Sequence, residues 1–115
     1  MNAHQVILDS IEWVNAGVGV RYKAFVHDNQ RLRLVEFSDG FVEPDWCVNG
    51  HAGIVLDGSF AIDYHGSLER YSRGDVIFVP GGEAHRHKAV LDRDEKATLL
   101  LFELVAGAIN ETGSH

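Results

Sequence analysis

Short runs of strand-forming residues, each halted by a cluster of turn residues, fill most of this chain, and no stretch carries a helical period of useful length. This pattern constrains the fold more than any other feature. Many short strands with frequent turns must pair antiparallel, in a sandwich or a closed barrel. The cleanest alternation covers 31–37, where Arg31, Arg33, Val35 and Phe37 fall on one face and Leu32, Leu34 and Glu36 on the other. Residues 18–27 repeat that period with mixed polarity, and 4–13 read as a strand followed by a turn at Asp9-Ser10. Asp57-Gly58 is a hairpin signal between strands at 52–57 and 59–65. The last strong strand is 96–105, mostly apolar on both faces with Glu103 standing out, which predicts a position between packed layers.

The most informative stretch runs from Gly74 to His87. Val76–Val79 is a strand stopped by Pro80-Gly81-Gly82, where proline offers no N–H and glycine accepts a tight corner. Residues 84–91 read as the next strand, with His85 and His87 on one face and Arg86 and Lys88 on the other. Two imidazoles directed to one side form half of a metal site.

At 115 residues the chain suits one domain, expected over 1–106, followed by a small polar tail at 107–115 expected to be flexible. A net charge of −7 argues against a nucleic-acid surface, and no apolar run is long enough to span a bilayer. One cysteine excludes an intrachain disulfide, and the first residues lack a secretion signal, so a cytoplasmic setting is expected.

The spacing of Gly74, Pro80, Gly82 and His85 reproduces the second signature of the cupin family, and Gly50–Gly58 resembles the end of its first signature. The resemblance spans about residues 31–104. It implies an all-β double-stranded β-helix, or jelly-roll barrel, with a ligand pocket in its mouth, and it implies a homodimer. The first signature departs from the family pattern. Counted back from Gly58, its glutamate position falls on His51 and its two histidine positions on Asp45 and Cys47; a shift of one residue would place Pro44 and Trp46 there instead. None of the usual residues is present, yet His51, Cys47 and Asp45 can all bind metal.

The candidate ligands are therefore His51 and His85, then His87, with Cys47 and Asp45 able to complete the set. Thiolate with imidazole favours Zn²⁺, whereas carboxylate with imidazole also admits Fe²⁺, Mn²⁺ or Ni²⁺. Glu103, a carboxylate on an apolar strand face, is the candidate catalytic residue, as a proton acceptor or as the partner of a histidine N–H. Phe41, Trp46, Phe78 and Phe102 are candidates for an apolar pocket wall. The Arg31/Arg33 pair reads as an exterior face. Three functions follow: a divalent-metal cupin acting on an unidentified small molecule as an isomerase, lyase or oxygenase; a metal-free binding or sensor cupin; or an interaction protein whose barrel serves mainly as a dimer scaffold.

Overall fold

The computed structural model describes residues 3–105, so the tail expected at 107–115 lies outside the described residues. Eight strands carry the fold: β1 (Val14–Gly17), β2 (Val20–His27), β3 (Gln30–Phe37), β4 (His51–Asp63), β5 (Leu68–Ser72), β6 (Val76–Val79), β7 (Lys88–Val90) and β8 (Ala97–Leu104). All their pairings are antiparallel. One sheet runs β1-β2-β3-β8-β4-β6 and uses the first half of β4; the second sheet pairs the other half of β4 with β5 and β7. This is the all-β jelly-roll arrangement expected from the turn-punctuated sequence.

β4 joins the two sheets, and the expected hairpin at Asp57-Gly58 is absent. The chain continues through it as one strand from His51 to Asp63, with its register against β8 slipping between Val55 and Asp57. Gly58 takes φ 77°, and a Cβ there would overlap the backbone carbonyl of Lys96. The turn signal is thus spent on a bulge that bends one strand from sheet to sheet. The bend brings Val55, Phe60 and Ile62 of β4 into one core with Val35, Ile77, Val79, Leu99 and Leu101. Toward one end of the barrel the inward positions become polar: Arg31 and Arg33 on β3, His51 on β4, Glu103 on β8.

Three further expectations change. Within 4–13 the only regular element is a 3-10 turn at Leu8–Ser10; Lys23, one of the few buried charges, donates to the Leu8 carbonyl, and Trp13 packs over the cations of Arg21 and Lys23. The strand expected at 84–91 shrinks to Lys88–Val90, because Gly82 at φ 113° leads into a 3-10 turn at Glu83–His85. β8 is not sandwiched either. Its inward residues are buried, but outward Phe102 and Leu104 are 44% and 58% exposed, beside Val76 and Phe78 on β6 at 74% and 78%. Replacing Gly58 with alanine is expected to destabilise the fold by about 2–4 kcal/mol in denaturant unfolding, since positive φ and the Lys96 overlap both act against the new methyl.

Candidate functional site

At the polar end of the barrel the strand register does most of the positioning. Arg31 stands opposite Glu103 across the β3–β8 ladder, with Arg33 two residues along on the same face. Arg33 Nε and Nη2 each donate to Glu103 at 2.7 Å and Arg31 Nε donates at 2.9 Å, so the carboxylate, only 2% exposed, has three guanidinium bonds. The exterior face expected for these arginines is therefore an interior one. The reason is parity: they share a strand face with Val35, which is core.

His51 opens β4 and places Nδ1 2.5 Å from Glu103 Oε2; the approach is oblique rather than aligned, so the contact is chiefly electrostatic. Burial alone would raise the Glu103 pKa, but His51 and Arg33 outweigh it and hold the carboxyl well below its usual range. Glu103 stays ionised and so keeps the His51 proton on Nδ1, leaving Nε2 to face the barrel.

Cys47 reaches the same point from a different segment. Residues 42–47 run antiparallel to 87–90: Cys47 N–H donates to the His87 carbonyl at 2.8 Å, and His87 N–H returns a bond to the Cys47 carbonyl at 3.0 Å. The Pro80-Gly81-Gly82 corner anchors this loop, because Gly82 N–H donates to the Val48 carbonyl and a Cβ on Gly50 would press on Gly81 N at 2.9 Å. His87 Nδ1 lies 3.1 Å from the His85 carbonyl oxygen, which can only accept, so the proton sits on Nδ1. His87 Nε2 is buried with no hydrogen-bond partner among the described residues.

One donor atom from each of Cys47, His51 and His87 therefore converges, all within 4.8 Å of one another. Cys47 Sγ is 3.7 Å from His51 Nε2, and the two imidazole rings are 5.1 Å apart at 82°. Tetrahedral zinc, with bonds of about 2.3 Å to sulfur and about 2.0 Å to nitrogen, spaces such donors about 3.5 Å apart. The residues present fit such an ion.

Of the other candidates, Phe41 lines the adjoining cavity of about 390 Å³, together with Glu43, which the sequence reading passed over. Glu43 Oε1 accepts from the Ala89 N–H at 2.8 Å. His85 is exposed and does not share a face with His87, because the 3-10 turn has replaced the strand that would have aligned them; it contributes its carbonyl instead. Asp45 is exposed and outside the converging group. Trp46 is 39% exposed and packs against Lys88 and His65. Phe78 and Phe102 lie on the outer sheet face, where they line a separate groove rather than this cavity.

No family profile and no curated relative matches the sequence. Solved structures do. The chain is similar to the polyketide cyclase RemF from Streptomyces resistomycificus, with 19% identity and a TM-score of 0.75 over 90% of this chain and 80% of that one. It is similar to a sugar phosphate isomerase of the cupin superfamily from Silicibacter pomeroyi, with 18% identity and a TM-score of 0.71 over 89% and 76%. It is also similar to an RmlC-like cupin from Shewanella frigidimarina, with 21% identity and a TM-score of 0.68 over 95% and 96%. The chain has the cupin jelly-roll fold.

The electrostatics of the converging group yield a pH prediction for metal-free protein. The neighbouring imidazoles, His51 first and then His87, draw the Cys47 thiol from 9.0 down to about 6. Burial works against a charged His51, yet Cys47 and Glu103 together lift it from 6.5 to about 9. A lowered thiol contributes stability above its ordinary value and loses it as pH falls through about 6; a raised imidazole contributes below 6.5 and loses it as pH rises through about 9. The two share one ion pair, so the thiolate absorbance of metal-free protein is expected to titrate near pH 6, while the opposite losses of the two groups offset and leave thermal stability nearly level between pH 6.5 and 9. A thiolate midpoint at the ordinary 9.0 would contradict this.

Proposed function

We propose that this small cupin-fold barrel holds a divalent metal ion, Zn²⁺ in preference, on Cys47 Sγ, His51 Nε2 and His87 Nε2, and acts on a small molecule bound in the adjoining cavity. One observation carries the reading: both rings have Nδ1 occupied by an acceptor, Glu103 in electrostatic contact for His51 and the His85 carbonyl for His87, which leaves Nε2 of each for the same thiol. Three protein donors leave room for a further ligand. When bound, the ion supplies Lewis acidity toward a ligand oxygen. Cys47 adds a negative charge that favours a soft-tolerant ion such as zinc over manganese or magnesium. Glu103, saturated by guanidinium donors, acts as a positioning residue that holds the His51 proton rather than as a base. The polyketide cyclase and the sugar phosphate isomerase among the structural neighbours support action on a small molecule. A thiolate ligand also suits the reducing, cytoplasmic setting expected from the sequence.

Protein purified without chelator is expected to contain close to one equivalent of zinc by elemental analysis. Cys47→Ser or His87→Ala should abolish that content, Glu103→Gln should weaken affinity by roughly 10–100-fold, and His85→Ala should leave it unchanged. Zinc-free protein that gains thermal stability only from organic ligands would favour the metal-free sensor reading instead.

The homodimer belongs to this reading as well. The exposed Val76, Phe78, Phe102 and Leu104 form an uncharged face, and a two-fold interface sets one patch against itself, which suits an apolar surface without charge pattern. Phe78→Lys is expected to convert a dimer to a monomer in light scattering; a wild-type monomer would overturn the assignment.

A further inference from the structure

The cavity beside the converging donors is sharply divided in chemistry. Most of its polar residues form one connected cluster: Cys47, His51 and His87 meet, Glu103 touches His51, and Arg31 and Arg33 touch Glu103; Glu43, bonded to the backbone of Ala89, and Asn49 complete the polar lining. The rest of the wall is apolar, including Val35, Phe37, Phe41, Phe60, Ile77 and Leu101. Phe37 and Phe41 stack in parallel, with ring centroids 5.3 Å apart and planes at 8°. The volume, about 390 Å³, is that of a small-molecule pocket.

We infer that this cavity takes a small ring compound, largely apolar, that carries its oxygen group or groups at one end, and that it rejects sugars and phosphate esters. The inference deepens the functional reading above and rests on its placement of the ligand in the barrel. A sugar carries hydroxyls around its whole ring, and those turned toward the apolar wall would lose their hydrogen bonds to water without replacement. A phosphate needs several cationic or N–H donors converging on it. Among the described residues the only lysine or arginine side chains lining the cavity, Arg31 and Arg33, are directed onto Glu103; a charged His51 is already answered by Glu103 and Cys47, and Glu43 in the same wall is an acid. An aromatic or alicyclic body, by contrast, gains by leaving water for this wall, and its oxygen end reaches the polar cluster.

The test uses beta-naphthol, glucose and inorganic phosphate as probes of the full chain, zinc-loaded and metal-free, read by ligand-observed NMR and by melting temperature. Naphthol is expected to bind and to raise the melting temperature, while glucose and phosphate do neither. Phe41→Ala is expected to weaken naphthol about tenfold, and Phe41→Leu, which keeps an apolar wall but removes the ring, by less; zinc content should not change in either. Zinc is measured on the same samples, which separates the two claims. Naphthol binding by protein that takes up no zinc retains this inference and sinks the metal reading. Zinc uptake without naphthol binding, or with glucose or phosphate bound in its place, overturns this inference and leaves the metal reading standing. Binding of neither zinc nor naphthol overturns both.

Discussion

A single buried carboxylate organises the polar end of this barrel. Glu103 sits 2% exposed among apolar strands, where an unpaired charge would cost several kcal/mol. Two guanidiniums from the neighbouring strand answer it, and the imidazole of His51 makes a third contact. The consequence reaches past stability. By remaining ionised, Glu103 keeps a proton on His51 Nδ1 and so makes Nε2 the nitrogen that can give up its proton to a ligand in the cavity. Electrostatics at the base of the strand ladder thereby sets the chemistry of the donor at the mouth.

The rest of the site depends on how few backbone devices bring distant segments together. β4 passes without interruption from one sheet to the other, and Gly58 allows the bend because no side chain fits against Lys96 there. The Pro80-Gly81-Gly82 corner holds the loop that carries Cys47, and the following 3-10 turn aims the His85 carbonyl at His87. Three donors separated along the chain then converge without any of them leaving its strand or bridge. Local turn chemistry and strand parity suffice to build the centre.

Much of this was legible in the sequence. The alternation at 31–37 and 96–105 fixed which residues share a face, and Glu103 stood out because an apolar strand face does not hold a lone carboxylate. His51 and Cys47 were readable as possible donors from the departures in the first signature, and His87 from a strand parity with His85 that the 3-10 turn replaces. The failures share a cause. Turn residues mark where a chain changes direction, and they do not say how sharply: Asp57-Gly58 bends a strand that a hairpin would have reversed, and the Pro-Gly-Gly corner is followed by a 3-10 turn that rotates His85 out of line. The pairing of Arg31 and Arg33 with Glu103 is a contact between residues about seventy positions apart, visible only once β3 and β8 are known to be neighbours. Exposure of the outer face of β8 could not be read either, since an apolar strand face looks the same whether a second layer covers it or not.

The proposed centre requires one sulfur and two imidazole nitrogens to address a common point. X-ray absorption at the zinc edge of the loaded protein measures this directly. The account predicts one sulfur scatterer at about 2.3 Å together with nitrogen at about 2.0 Å carrying the outer-shell signal of imidazole. A first shell of oxygen and nitrogen alone, with no sulfur, would contradict it.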